Sequence, residues 1–151
     1  MDFAAEDVFL TRGASGAVAL ALQAVVEPGD EVIFLSPPWF FYEAMILASG
    51  ATPARVRLQH PAFDLDIDAI VARWVHGPEP SSSTHCTIPR GESIHRPLLS
   101  TGGQAGAAAA MYGRPVWVIS DEAYSRIIFD GRKFFSPAFF HPYSLLAHTY
   151  S

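Results

Sequence analysis

The sequence predicts an α/β fold, a mostly parallel sheet with flanking helices, and three observations predict it. Strand-like and helix-like segments alternate along the first half of the chain, with Gly and Pro between them. One of the strands, Glu31-Val32-Ile33-Phe34-Leu35, is an almost continuous apolar run, as a strand covered on both faces of a parallel sheet requires. A later run, Pro115-Val116-Trp117-Val118-Ile119-Ser120, delivers Asp121-Glu122-Ala123-Tyr124 at its carboxyl end, the edge where open α/β sheets bind ligands. At 151 residues the chain has the length of one domain with its own core.

In chain order, the short β-branched run Asp7-Val8-Phe9-Leu10-Thr11 reads as a strand. It ends in the turn Gly13-Ala14-Ser15-Gly16, and residues 17–26 then have helical composition. Glu27-Pro28-Gly29-Asp30 stops that helix, because Pro28 cannot continue it and Gly29 accepts the turn's backbone angles. The strand 31–35 follows, and after Ser36-Pro37-Pro38 a helix is expected from Trp39 to Ser49, closed by Gly50. Residues 52–58 read as the next strand. Asp64, Asp66 and Asp68 suit a helix N-terminus, and the apolar residues of 64–74 recur at helical spacing. From Gly77 to about Gln104 neither period is present: Pro78, Pro80, three serines, Pro89 and Pro97 break the chain, and a loop of that length is foreign to a compact α/β domain. Pattern returns at 107–111 and in the strand that ends at Ser120.

Composition excludes several classes of function. Ten Lys+Arg against fifteen Asp+Glu give a net charge of -5 with no basic cluster, so nucleic acid is not an expected partner. Half the residues are hydrophobic and 17% are charged, too apolar for a disordered chain. No apolar run reaches the length of a membrane span, so a membrane is not an expected partner, and no signal peptide is legible at the N-terminus. With a single cysteine, Cys86, an internal disulfide is impossible, and a soluble protein in a reducing, cytoplasmic setting is expected. His85, Cys86 and His95 have the spacing of no known finger or helix face, so no metal site is expected.

Taken singly, the chemical residues are weak signals. Thr11 to Gly16 offers free N–H groups at a helix N-terminus, a ready anion site, yet a helix that merely starts after glycine looks the same. An Asp at a strand's end is often only a cap, and Trp39 on a helix is usually a core aromatic. Their order is more specific. GASG before a helix, EPGDEVIFLSPPWFFYEAM, SGATPARVRL, FDLDIDAI, VWVISDEAYSRIIFDG and SLLAHTYS together resemble the large domain of a class I/II, fold-type-I, pyridoxal-phosphate-dependent aminotransferase, over residues 7–75 and 107–151.

The resemblance implies that residues 1–151 are part of a pyridoxal-phosphate-binding large domain. It also implies amino-group transfer between an amino acid and a 2-oxo acid, and a homodimeric parent enzyme. On it, Gly13, Ala14 and Ser15 match the turn that holds the cofactor phosphate, Trp39 the aromatic that stacks on the pyridine ring, and Asp121 the aspartate on the ring nitrogen. Tyr124 matches the tyrosine at the ring's phenolic oxygen and Thr149 a further phosphate-binding hydroxyl. Two departures accompany these matches. The family's cofactor-anchoring lysine follows a segment like Thr149-Tyr150-Ser151, whereas the chain's one lysine, Lys133, lies after Phe129-Asp130-Gly131 and matches nothing. The chain alone is therefore expected to be catalytically incomplete.

The other departure is the family motif Asn-Pro-Thr-Gly, expected in the patternless stretch. Joining the last base of each codon to the first two of the next, residues 80–97 permit Ile-(Ile/Val)-(Ile/Val/Leu)-Asn-Ser-Leu-His-Asn-Pro-Thr-Gly-Arg-(Val/Ile)-Tyr-Pro-Pro. Residues 78–106 are accordingly expected to be a frame-shifted or disordered segment. Two rival readings compete with this one. The glycine turn superficially resembles that of short-chain NAD(P)-dependent dehydrogenases, but no Tyr-x-x-x-Lys pair is present and no acidic residue ends the next strand. The other rival is a non-catalytic fragment that binds pyridoxal phosphate or a partner protein.

Overall fold

The computed structural model of the chain describes residues 3–59, 66–75, 84–89, 116–131, 133, 134, 136 and 144–147. A 3-10 turn at Ala5–Asp7 is followed by α1 (Gly13–Val25), β1 (Glu31–Ser36), α2 (Tyr42–Ala48), β2 (Thr52–Arg57), α3 (Ile67–Val75), β3 (Thr84–Pro89), β4 (Val118–Asp121) and β5 (Ser144–Ala147). The strands form one sheet in the order β2-β1-β3-β4-β5, with every neighbouring pair parallel. The α/β class and the parallel sheet expected from sequence are thus observed.

The turn between α1 and β1 works as its residues dictate. Asp30 accepts the Glu27 N–H on Oδ2 at 2.8 Å and donates its own N–H to the Glu27 carbonyl at 3.0 Å. Strand β1 is buried from Glu31 to Leu35, which accounts for its continuous apolar run. Alternate β1 residues serve opposite faces. Val32 and Phe34 join Val18, Leu22 and Val26 of α1 and Tyr42 and Ile46 of α2 in one core cluster, with Ile119 from β4 and Ala147 from β5. On the opposite parity, Glu31 is buried and accepts two hydrogen bonds from Arg73 of α3, at 2.7 and 2.9 Å. Helices α1 and α2 therefore cover one face and α3 the other, as right-handed crossovers from β1 to β2 and from β2 to β3 require.

Helix α3 starts one residue after Asp66, whose Oδ1 accepts the Ala69 N–H at 2.9 Å. That bond and the Gln59 side chain hold the Asp66 carboxyl below the usual aspartate range. Of the three aspartates read as helix starters, Asp66 caps the helix, Asp68 lies in its first turn and Asp64 lies outside the described residues.

Four expectations are corrected. Residues 7–11 are not a strand: the chain makes a 3-10 turn at Ala5–Asp7 and then runs unpaired, with Val8, Phe9 and Leu10 exposed, because no described strand lies beside it. Helix α1 begins at Gly13 rather than after Gly16, so the glycine segment is the helix's first turn and not a loop before it. Helix α2 begins at Tyr42, since Trp39 to Phe41 form the turn that the Tyr42 N–H closes onto the Trp39 carbonyl at 3.1 Å. The stretch read as patternless contributes Thr84–Pro89 as the middle strand of the sheet, paired with β1 on one side and β4 on the other. Residues 107–111 and Thr149, singled out from sequence, lie outside the described residues.

Candidate functional site

Strand order in the sheet reverses between β1 and β3, and in an open parallel sheet the crevice at the carboxyl ends of the strands flanking such a reversal is the binding position. Segments carrying four of the sequence-predicted types of contact reach that edge. Helix α1 packs against β4 and β5, and the turn at 27–30 carries the chain from its end to the start of β1, so its first turn lies toward the carboxyl edge. The loop after β1 carries Trp39. Strand β4 ends at Asp121, in register with Pro89 of β3 and Ala147 of β5, and the turn beyond it carries Tyr124.

The first turn of α1 is shaped by Gly13. Its φ of 76° lies where side chains other than glycine's are strained, and a Cβ built there would meet no described atom within 4 Å, so the space beside Gly13 is open. The Thr11 hydroxyl donates to the Gly13 carbonyl at 2.9 Å and the Gly13 N–H to the Thr11 carbonyl at 3.0 Å, which fixes the approach of the chain. Among the described residues no side chain caps the start of α1, and Ser15 is exposed in its first turn with Ala14 half-buried beside it. The helix start thus presents N–H groups and a hydroxyl to an anion.

Trp39 is half-buried and wedged among aromatic rings, edge-on to Phe41 at 5.0 Å and to Tyr42 at 5.5 Å between centroids. Asp121 is half-buried, and both its carboxylate oxygens are engaged. Oδ1 accepts the Ala123 N–H at 3.1 Å, and Oδ2 accepts the Tyr42 hydroxyl at 2.6 Å. The next residue, Glu122, is buried, accepts the Ser136 hydroxyl at 2.6 Å and donates its N–H to the Ala147 carbonyl at 2.8 Å, so the turn after β4 is anchored on two sides. Tyr124 stands 68% exposed on that turn. Lys133 is exposed, past the turn at Asp130 and Gly131.

Tyr42 is the residue that sequence reading missed. Its ring touches Trp39 and its hydroxyl meets Asp121, so it joins two residues the sequence had singled out separately. Burial first, then the Asp121 carboxylate, then Tyr124, push the phenol far above the ordinary tyrosine range, which makes its hydroxyl a permanent donor. A local clue existed, in that Tyr42 stands three residues after Trp39 at the start of a helix. The partner that gives it meaning is 79 residues away.

Comparison with known proteins follows the same lines. The family described as aminotransferase class I and II matches residues 1–82. A probable N-acetyl-LL-diaminopimelate aminotransferase of Bacillus subtilis is 34% identical over 133 residues, 84% of this chain and 31% of that protein. The methionine aminotransferase of Escherichia coli is 35% identical over 127 residues, 82% of this chain and 31% of that protein. In the solved structure of an aminotransferase from Eubacterium rectale, the whole chain superposes on 38% of that chain with a TM-score of 0.88 at 22% identity, a likeness of fold. The chain spans about a third of the length of the curated relatives it matches. Among the described residues no helix is long and apolar enough to cross a membrane.

Proposed function

The chain belongs to the aminotransferase class I and II family, and from that premise we propose that it is the cofactor-binding part of an enzyme that moves an amino group between an amino acid and a 2-oxo acid. Pyridoxal 5'-phosphate is the proposed cofactor. The observation that carries the proposal is the convergence on one sheet edge of the Asp121 carboxylate, the Trp39 ring and the open N-terminus of α1.

The donor set fits that group. A phosphate suits the first turn at Gly13, Ala14 and Ser15, with open space beside Gly13. Trp39, steadied by its aromatic neighbours, offers a ring to stack on. Asp121 holds a proton on the ring nitrogen, and Tyr124 has the exposure to donate to the phenolic oxygen. Thr149 is proposed as a second phosphate hydroxyl. When bound, the cofactor supplies an electron sink for the pair left on the substrate's α-carbon. Lys133, exposed and beyond the turn, is not the covalent anchor, so the chain by itself holds the cofactor without a covalent bond and does not turn over. A cytoplasmic setting and a homodimer belong to the same proposal.

Residues 78–106 are proposed to be a frame-shifted translation. The family match ends at residue 82, close to Pro80 where the displaced reading begins to spell the family's strand and Asn-Pro-Thr-Gly. The coding sequence decides this, since codons that fail to spell the motif in the displaced frame refute it.

Binding of pyridoxal 5'-phosphate to the chain, followed by its absorbance after gel filtration, tests the function. Stoichiometric binding that survives Lys133→Arg and is weakened by Asp121→Ala is the expected result. Binding that disappears with Lys133→Arg overturns the assignment.

A further inference from the structure

Tyr42 makes two contacts that no other described residue combines. Its ring lies edge-on to Trp39 at 5.5 Å and 70°, and its hydroxyl donates to Asp121 Oδ2 at 2.6 Å. The side chain is 4% exposed, on the first residue of α2, and it belongs to the core cluster that also holds Val32, Phe34 and Ile119. A residue placed in this way has no access to a ligand of its own. It is buried, and it touches two groups that do reach the edge.

We propose that Tyr42 is a positioning residue for the cofactor ring, one that fixes the plane of the Asp121 carboxylate and the tilt of Trp39 at the same time. The proposal rests on the cofactor reading above. The carboxylate of Asp121 can turn about its Cβ–Cγ bond, and a turned carboxylate does not present a lone pair to a ring nitrogen. Ala123 N–H on Oδ1 defines one point of its plane and the Tyr42 hydroxyl on Oδ2 the other. The hydroxyl bond is charge-assisted and short, the kind that contributes most to orientation. Because the phenol stays protonated through the whole working range of pH, the donor is never lost. Each carboxylate oxygen has more than one lone pair, so these bonds leave room for a third partner. The spacing fits as well: Trp39 and Tyr42 are separated by one turn of chain, so the same short segment sets the stacking ring and the charge partner together.

The test separates positioning from simple structural support. Pyridoxamine 5'-phosphate, which has no aldehyde to react with Lys133, and its analogue with C–H in place of the ring nitrogen are titrated into the full chain and into Tyr42→Phe. The wild-type chain should prefer the nitrogen-containing ligand by about tenfold, the worth of one hydrogen bond to a charged group. Tyr42→Phe should lose most of that preference while binding the analogue within about twofold of wild type. Equal loss for both ligands would make Tyr42 a structural residue and overturn the proposal, as would a variant that keeps the full preference. A wild-type chain that binds both ligands equally overturns the cofactor reading instead, and the proposal with it. Should Tyr42→Phe fail to fold, the wild-type chain labelled at tyrosine ¹³Cζ gives the answer. The Tyr42 signal should move when pyridoxamine 5'-phosphate binds and hold still with the analogue, and equal movement for the two refutes positioning.

Discussion

Tyr42→Phe also makes a prediction about the fold that needs no ligand. At neutral pH the substitution removes one hydrogen bond to a carboxylate and nothing else, since the ring, its burial and its contact with Trp39 remain. Bonds to charged groups contribute roughly 1.5–3 kcal/mol. Asp121 is only partly buried, so water can replace the lost donor in part, which places the cost near the lower end, about 1.5–2 kcal/mol. For a chain of this length that is a fall of roughly 3–8 °C in Tm. Alkaline pH changes the comparison. The phenol's folded pKa lies far above its unfolded value of about 10, so its contribution is complete below about pH 10 and is lost as pH rises toward the folded value. Above pH 10 the unfolded wild-type chain releases a proton at Tyr42 that the folded chain retains. Wild type therefore loses roughly 1.4 kcal/mol per pH unit at this site, about 2 kcal/mol by pH 11.5, and the variant has no such loss. Urea unfolding of both proteins at pH 7, 9, 10.5 and 11.5 should show a gap in midpoint that closes at the alkaline end with m unchanged. A gap that stays constant across the series would refute the burial and the bond alike.

The ion pair across the back of the sheet should be asymmetric. Glu31 is buried and Arg73 half-exposed, so Arg73→Ala strands a buried carboxylate and should cost about 3 kcal/mol, whereas Glu31→Gln releases Arg73 to water and should cost about 1 kcal/mol, read from the same urea midpoints. Asp66→Ala removes the cap of α3 and should cost about 1 kcal/mol at pH 7. Because the Ala69 N–H and Gln59 lower the folded pKa of Asp66, its contribution is present above about pH 4 and is lost as pH falls through the folded value, so that difference should shrink progressively in acid unfolding.

Much of the fold was legible because local chemistry decided it. The apolar run of β1, the Pro28-Gly29 stop and the φ of 83° at Gly50 are written in adjacent residues, and the elements they bound fall within a few residues of expectation. The misread parts depend on distant partners. Val8 to Leu10 have strand composition but no neighbour to pair with among the described residues, so composition alone promised a ladder that the described strands do not supply. Thr84–Pro89 shows the reverse: amid serines and prolines it has no period, yet β1 and β4 supply the pairing that makes it a strand. At the candidate site, Gly13, Trp39 and Asp121 were legible as candidates from their order along the chain. Tyr42 was not, because its meaning lies in a hydroxyl bond spanning 79 residues.

The central claim is that a phosphate-bearing pyridine sits at the carboxyl edge between the start of α1 and the end of β4. Backbone and side-chain NMR of the labelled chain during a titration with pyridoxamine 5'-phosphate tests it most directly. The account predicts saturable shifts at the amides of Gly13, Ala14 and Ser15, at the Trp39 indole and at the Ala123 amide, all with one dissociation constant. Shifts scattered over the surface, or confined to residues around Lys133 while Gly13 and Asp121 stay still, would contradict it.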